Sequence, residues 1–398
     1  MTANTESTDT QSTGAGSTGI NSAGRRFWFC PQWVVAVVVL VIALLAPLFV
    51  QTYWLHVLII AYFYAILASS WSLLAGYAGQ FSFAHMAFMA LGAYTVGLFG
   101  RFLRLSTAPT GTCTEVRLGN LWLVLMNAVG DNCLEAGKAN MPVGSLIYRP
   151  PLVPGIILGV LVAGLAGLAI GALVLRFRAA YLALFTIAFS EILRTLIRGE
   201  PQITRGDHGL RVPALFPDTI SRIPYYYTML AILVASLLFM FWLARSRVGL
   251  FLRAIREDEE AAAARGVDVV RYKVLTFVIT AMLAGLGGVF LAHYITILSP
   301  NIMVLPQMGL VIAMAIIGGV ESLLAAAIGA LIIQVSLELL REFEAWRLVI
   351  FGALLIITLR FARNGLLAPL MQKLAGAVPR PEARGEESTA EVGEEVRV

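Results

Sequence analysis

The sequence has few charged side chains and no phosphate-binding motif. Asp, Glu, Lys and Arg together make up 13% of the 398 residues, which is about half of the ~25% share that is usual in soluble proteins. A G-x-x-x-x-G-K-[ST] loop is absent, because the Gly137-Lys138 pair is followed by Ala139. The chain therefore shows no means of hydrolysing ATP by itself.

Histidine and cysteine are also scarce, with four and three residues in the chain. The four histidines, His56, His85, His208 and His293, lack the spacing of metal ligands, and no G-x-S-x-G nucleophile motif occurs. We expect no catalytic residue, no metal and no cofactor in this chain, which is therefore not predicted to be an enzyme. The net charge of +5 is explained by Lys and Arg at the ends of apolar runs, so no nucleic-acid partner is expected.

Apolar residues, in contrast, are abundant. They account for 59% of the chain, the mean hydropathy is +0.81, and the apolar runs reach the ~18–20 residues that a helix needs to cross ~30 Å of hydrocarbon. The pattern predicts an all-α polytopic integral membrane protein with about ten transmembrane helices, within a range of eight to eleven. The predicted spans are 33–50, 55–75, 81–99, 153–175, 180–197, 227–244, 273–297, 306–319, 322–340 and 346–361.

Glycine recurs at close spacing in the fourth of these spans, from Gly155 to Gly171. Small residues let membrane helices approach one another closely. We therefore expect this span to pack tightly against its neighbours.

The distribution of Lys and Arg predicts how these spans are oriented. Most of them fall on four segments that face the cytoplasm if the N-terminus is inside, namely 25–26, 176–178, 245–273 and 360–397. Both termini are therefore expected in the cytoplasm. The composition predicts a disordered tail at 1–26 and another at 376–398, on either side of a transmembrane domain at 27–375.

The longest predicted outer segment, 100–151, contains two cysteines. It also contains an apolar stretch, Leu121–Val129, that is too short to span a membrane. Cys113 and Cys133 would face the oxidising side, where cysteines can pair. They are either a disulfide or two unrelated free thiols, and the sequence favours neither alternative.

One strongly charged segment, Arg245–Lys273, lies between two apolar runs and is predicted to be cytoplasmic. Within it, Leu250–Ala264 is predicted to form a single helix along the inner membrane face, with Gly266 as a left-handed C-cap. A helix with small side chains suits docking into a groove on a soluble partner, whereas the alternative is a solvated connecting loop. The segment contains an E-A-A-x-x-x-G pattern made by Glu260, Ala261, Ala262 and Gly266.

Ion pairs are also predicted within and beside the spans. The i,i+4 spacing of Arg253 with Glu257, and of Arg256 with Glu260, predicts two pairs on one face of the charged helix. Two further pairs, with i,i+3 spacing, are predicted at the outer ends of spans, where they are interpreted as interfacial pairs rather than proton relays. These pairs are Glu191 with Arg194 and Glu338 with Arg341.

The third predicted span opens with glycines and polar residues. Gly76 and Gly79 are expected to break the helix, so that Gln80, Ser82 and His85 follow on a helix that starts again. Polar side chains on a broken helix can line a water-filled path, whereas the alternative is hydrogen bonding between helices that fixes their packing. Packing is favoured for Ser82, and both alternatives stay open for His85. A similar pattern recurs at Gly318, Gly319 and Ser322.

These motifs resemble a known family. The run from Leu73 to Tyr94 is similar to the L-x-G-Y-x-G-Q-x-S-x-x-H-x-A-F-x-x-x-G-A-Y pattern of branched-chain amino-acid ABC permeases. The E-A-A-x-x-x-G pattern resembles the loop through which the permeases of ABC importers engage their ATPase. The resemblance covers about residues 33–370, and the length favours the M-type subunit. The chain departs from the family in its long segment 100–151 and in Glu321, where a small or polar residue is expected.

The resemblance implies a permease domain at 27–375 in the inner membrane of a prokaryote. It implies as partners a homologous second permease, two cytoplasmic ATP-binding subunits, an extracytoplasmic solute-binding protein and membrane lipid. ATP would be bound by the partner subunits, and the solute would be a branched-chain amino acid. Alternatives are an ABC permease for urea, amides or other small solutes, and an ion-coupled secondary transporter.

Overall fold

The structure, a computed structural model, describes most of the predicted membrane domain. The described residues are 31–100, 102–105, 114–118, 121–125, 147–148, 151–174, 179–201, 203–216, 221–343, 349–350, 352–353, 356 and 360. The two predicted tails, Cys113 and Cys133 lie outside these residues, as does most of the last predicted span.

Eleven α-helices are found in the described part of the chain. Apolar composition and length drive their formation, since a helix satisfies every backbone polar group within the segment that crosses the hydrocarbon. In chain order they are α1 Pro31–Phe49, α2 Thr52–Ser72, α3 His85–Phe99, α4 Leu152–Val174, α5 Ala179–Gly199, α6 Ile223–Arg245, α7 Arg247–Glu257, α8 Glu259–Ala264, α9 Val269–Ile295, α10 Leu305–Gly318 and α11 Leu323–Leu339.

Among the residues that the structure describes, five helical stretches are long and apolar enough to cross a membrane. They are Thr52–Tyr77, Leu152–Leu173, Ile223–Arg245, Val269–Ile295 and Leu323–Phe343. Shorter apolar helices occupy Ala36–Phe49, His85–Phe99 and Leu305–Gly318. The chain is therefore a helical polytopic membrane protein, as predicted. The count of ten spans and the cytoplasmic position of both termini stay predictions.

The prediction of an all-α fold is incomplete, because part of the 100–151 segment forms a small antiparallel sheet. Its strands are β1 Phe102–Leu105, β2 Thr114–Leu118, β3 Leu121–Leu125 and β4 Ile147–Tyr148, in the order β2-β3-β1-β4. The first five residues of the apolar stretch that is too short to span thus form the strand β3, which pairs with β1 and β2. Pairing on both sides satisfies its backbone groups.

Small residues bring α3, α4 and α9 into close contact. A Cβ atom on Gly288 of α9 would lie 2.0 Å from the carbonyl oxygen of Met89 on α3, and a Cβ on Gly159 of α4 would lie 2.9 Å from the carbonyl oxygen of Gly92. Only a residue without a side chain permits these backbone approaches. The predicted role of the α4 glycines in close helix packing is therefore confirmed.

The helical bundle has two distinct ends. At one end, a short ribbon pairs β5 Leu210–Arg211 with β6 Ile297–Leu298. At the opposite end, the break between α2 and α3 lies beside α7 and beside the turn between α10 and α11. This second end carries the residues that the sequence singles out.

Candidate functional site

The helix break predicted at Gly76 and Gly79 is present. The helix α2 continues as a π-helical turn over Leu73–Tyr77, and Gly79 then takes a φ of +68°, which a glycine adopts without steric cost. Residues 79–84 are not helical, and α3 begins at His85. The chain is therefore irregular inside a membrane domain, which is tolerated where protein or water surrounds it.

The end of α2 is joined to the turn between α10 and α11. Ser69 Oγ donates a hydrogen bond to the Leu323 carbonyl oxygen at 3.1 Å, and Ser72 Oγ donates to the Val320 carbonyl oxygen. A Cβ on Gly76 would lie 2.0 Å from that same Val320 oxygen. Gly76 is thus required for direct backbone contact as well as for the break.

In that turn, the residues of the second polar pattern have structural roles. Gly319 has a φ of +126° and ends α10. Gly318 faces α11, since a Cβ there would lie 2.3 Å from the Ala325 carbonyl oxygen. Ser322 caps α11, because its Oγ accepts from the Ala325 amide at 3.3 Å. These contacts give Gly318, Gly319 and Ser322 roles in the turn, and their role in lining a path stays a prediction.

Arg256 of α7 connects the break, the turn and the charged segment. Its guanidinium donates a hydrogen bond to the Gly76 carbonyl oxygen and pairs with Glu321 at 3.0 Å and with Glu257 at 3.2 Å. Its Cγ would lie 3.2 Å from a Cβ on Gly79. We call Arg256 with Gly76, Gly79 and Glu321 the Arg256 junction.

The junction corrects two sequence-based expectations. Leu250–Ala264 is not one helix, because Asp258, with a φ of −153°, ends α7 and caps α8, where its carboxylate accepts from the Ala261 amide at 3.0 Å. Arg256 and Glu260 therefore lie on different helices, and Arg256 pairs with Glu321 and Glu257 instead.

Arg253 also joins α7 to the π turn. Its guanidinium carbon lies 5.0 Å from the centre of the Tyr77 ring, which is a cation–π contact.

Glu321, the unexpected residue of the turn, thus has a partner. Its carboxylate is the acceptor that holds Arg256 against the α10–α11 turn. The departure from the family pattern does not disturb the hairpin, since Ser322 still caps α11.

The E-A-A-x-x-x-G residues form a small surface beside the junction. In α8, Glu260 and Ala261 are exposed, whereas Ala262 is buried against Ile255 and Val269. Gly266 has a φ of +83°, and a Cβ there would have no atom within 4 Å. Its amide donates to the Ala263 carbonyl oxygen at 2.9 Å. The predicted left-handed C-cap is confirmed.

Gln80, Ser82 and His85 are all buried. Ser82 holds the break together, since its Oγ accepts from the Ala84 amide at 3.2 Å and its carbonyl oxygen accepts from Trp71 Nε1 at 2.9 Å. The packing role favoured for Ser82 is thus supported. The His85 ring contacts Phe88 edge-on at 6.4 Å between centroids. Gln80 is 3% exposed and His85 is 0% exposed, and their role in lining a path stays a prediction.

Two contacts of the break were not foreseen. The Phe83 amide donates to Thr186 Oγ1 at 3.0 Å, and Ser190 Oγ donates to the Phe83 carbonyl oxygen at 3.2 Å. Both partners lie on α5, four residues apart, so one face of α5 satisfies the irregular backbone. The i,i+4 spacing of two hydroxyl residues in an apolar helix was the available signal.

The described part of the chain thus combines a broken helix in a polytopic bundle with two short charged helices, of which α8 leaves Glu260 and Ala261 exposed. The chain belongs to the family described as branched-chain amino acid transport system / permease component, whose model matches residues 53–359. This confirms the family resemblance and the prediction of a transport permease rather than an enzyme.

The relatives agree with this family. The chain is 30% identical over 255 residues to the high-affinity branched-chain amino acid transport system permease protein LivM of Salmonella typhimurium, covering 57% of this chain and 60% of that protein. It is 27% identical over 358 residues to LivM of Escherichia coli, covering 83% of this chain and 74% of that protein. The LivH permease of Escherichia coli is 25% identical over 330 residues, with 78% and 93% covered. No solved structure matches the chain.

Proposed function

We propose that this chain is the M-type permease subunit of an ATP-driven importer of branched-chain amino acids in the inner membrane of a prokaryote. The family match over residues 53–359 carries the proposal, together with the names of the LivM relatives. The absence of a phosphate-binding loop in the sequence agrees with it, because such an importer takes its energy from separate ATP-binding subunits.

The partners in this proposal are a homologous permease, two cytoplasmic ATP-binding subunits and an extracytoplasmic solute-binding protein. The similarity to both LivM and LivH supports a second, related permease. The exposed residues of α8 support an ATP-binding partner at the E-A-A-x-x-x-G surface, because Glu260 and Ala261 offer a small, accessible helical face.

The Arg256 junction suggests how the ATPase would drive transport. A force on α8 passes through the Asp258 cap to α7, and from Arg256 to the Gly76 carbonyl oxygen and Glu321. It would therefore reach both the α2–α3 break and the α10–α11 turn. Gly79 supplies the backbone freedom that a change of angle at the break requires.

Two other functions compete with this proposal: an ABC permease for a different solute, and a transporter that uses a different energy source. A permease for urea, short amides or another small solute differs only in substrate, because the solute-binding protein contributes much of the selectivity. An ion-coupled secondary transporter differs in needing no ATPase. One reconstitution experiment distinguishes both the substrate and the energy source.

The test is uptake of radiolabelled leucine, urea and acetamide into proteoliposomes that contain the complete transporter and its binding protein. We expect leucine uptake that requires ATP and the ATP-binding subunits. Uptake of urea but not leucine would overturn the substrate assignment. Full uptake by the chain alone, driven by an ion gradient without ATP, would overturn the importer.

A further inference from the structure

A small pocket lies between the α2–α3 break, α5 and the start of α10. It has a volume of about 110 Å³. Most of its lining is apolar, with Ser190 and Glu191 as the polar side chains. The lining includes Phe83, Met86, Ser190, Glu191, Met303 and Met308. We call it the Phe83 pocket.

The Phe83 pocket lies near the middle of the α5 helix. Glu191 is the thirteenth of the 21 residues of α5, so at ~1.5 Å per residue it lies about 18 Å from one end and about 12 Å from the other. The interfacial position that the sequence predicts for the Glu191–Arg194 pair stays a prediction. The pocket is adjacent to the non-helical residues 79–84, because Phe83 is one of its lining residues.

Glu191 is the charged residue that lines the pocket, and it forms an ion pair with Arg194. Arg194, one turn along α5, donates from Nε to both carboxylate oxygens of Glu191 at 3.1 Å. The Glu191 side chain is 50% exposed and that of Arg194 is 20% exposed. Charged side chains are costly against lipid hydrocarbon, so this face of α5 is expected to border water or protein.

The arrangement matches the chemistry of one class of solute. A carboxylate and a guanidinium next to each other complement the ammonium and carboxylate groups of a free amino acid. The apolar walls complement an aliphatic side chain. An apolar cavity of about 150 Å³ accommodates benzene, so a pocket of about 110 Å³ suits a group of four carbon atoms, such as the side chain of leucine or isoleucine.

We propose that the Phe83 pocket with Glu191 and Arg194 is a transport subsite that holds a zwitterionic amino acid by its branched aliphatic side chain. Glu191 binds the ammonium group, Arg194 binds the carboxylate, and the side chain enters between Met86, Met303 and Met308. The inference rests on the proposed function, because it assigns residues to the same substrate.

The direct test is binding of radiolabelled leucine to the complete transporter in nanodiscs without the solute-binding protein. Unlabelled isoleucine should displace the label. 4-Methylpentanoate, which lacks the ammonium group, and isoamylamine, which lacks the carboxylate, should not. The double variant Glu191→Gln/Arg194→Gln leaves no unpaired charge and should weaken binding about tenfold or more.

The matched control is Glu338→Gln/Arg341→Gln, which removes an ion pair of the same i,i+3 spacing outside the pocket and should bind leucine normally. Filling the pocket by Met308→Trp should also abolish binding, whereas Ile332→Trp, at an exposed position of α11, should not. Co-purification with the second permease verifies that each variant assembles.

Three outcomes would overturn the subsite. The first is that the Glu191→Gln/Arg194→Gln variant binds and transports leucine like the unmodified transporter. The second is that 4-methylpentanoate and isoamylamine displace leucine as well as isoleucine does. The third is that the Glu191→Gln/Arg194→Gln variant fails to assemble, which would make the two charges part of a subunit contact. If the unmodified transporter takes up no leucine in the presence of its binding protein, the proposed function itself fails, and that result is distinct from these three.

Discussion

Arg256 lies on the charged segment and contacts both the α2–α3 break and the α10–α11 turn. Its most consequential bond is to the Gly76 carbonyl oxygen, because that acceptor lies in the π turn that precedes the helix break. The pair with Glu321, whose side chain is 66% exposed, contributes less, since exposed ion pairs are worth about 0–1 kcal/mol.

We expect Arg256→Ala to uncouple ATP hydrolysis from leucine uptake. The loss of a charge-assisted hydrogen bond costs about 1.5–3 kcal/mol, and Arg256→Lys should restore little, because an ammonium group lacks the planar fork that reaches two acceptors. The measurement is the number of leucine molecules taken up per ATP hydrolysed. Glu321→Gln is the control with a small effect; an equally severe defect there would show that the ion pair, not the bond to Gly76, carries the coupling.

A second residue-scale prediction concerns Gly288. In Gly288→Ala the new Cβ would lie 2.0 Å from a backbone oxygen of α3, so α3 and α9 must separate, at a cost of about 1–3 kcal/mol. Thermal unfolding in detergent should have a lower midpoint. Gly309→Ala in α10, where no atom lies within 4 Å, should leave the midpoint unchanged or raise it, and equal effects of the two substitutions would contradict the packing explanation.

At the scale of elements, the division of the charged segment at Asp258 separates two tasks. The helix α7 is buried at Leu252 and Ile255 and contacts the membrane domain. The helix α8 leaves Glu260 exposed, while the Lys273–Glu259 pair at 2.6 Å ties α8 to the start of α9. The helix α7 is thus fixed against the membrane domain, and the helix α8 presents the exposed E-A-A-x-x-x-G surface.

We expect Gly266→Pro and Glu260→Arg to leave membrane insertion intact but to abolish productive contact with the ATP-binding subunits. Proline fixes φ near −65°, whereas Gly266 requires +83°, and the arginine reverses the charge of the exposed face. Co-purification of the ATP-binding subunits and ATP-driven leucine uptake are the measurements. Gly266→Ala should have a milder effect, because only the left-handed backbone is disfavoured there. Normal uptake in the proline and arginine variants would exclude α8 as the coupling element.

At the scale of the whole molecule, the Arg256 junction and the β5–β6 ribbon mark opposite ends of the bundle. Each end gathers segments far apart in the chain: Gly76, Arg256 and Glu321 at one, Arg211 and Ile297 at the other. The orientation proposed from Lys and Arg places the first end in the cytoplasm.

This orientation predicts opposite labelling of two exposed positions. In a variant without native cysteines, Arg211→Cys should react with a membrane-impermeant maleimide in intact spheroplasts, whereas Ala264→Cys should react only after the membrane is opened. Both side chains are exposed, so accessibility differs only by the side of the membrane. The reverse pattern would invert the topology, and labelling of both positions in intact spheroplasts would contradict the placement of the two ends.

The sequence predicted most of the fold, because membrane helices are specified locally. A long apolar run in hydrocarbon must form a helix, and the break at Gly79 and the cap at Gly266 follow from the backbone freedom of glycine. It did not predict strand β3, since five apolar residues too short to span gain a structure only from strands with which they pair.

The candidate site was predicted in its parts but not in its contacts. Gly76, Glu260 and Gly266 were singled out by motif, whereas Arg256 was assigned to Glu260, because i,i+4 spacing assumes one unbroken helix. Nothing local relates Arg256 to Gly76, which is 180 residues away, or brings Phe83 to α5.

The sequence by itself thus determined the class of protein, its helical segments and the family, because composition and short motifs are local properties. Only the tertiary structure decided that the helix break, the α10–α11 turn and α7 meet at Arg256, and that Phe83 and Glu191 share one pocket. The physical reason is that helices packed through glycine and alanine place side chains from distant segments in contact, at distances set by the packing rather than by position in the chain.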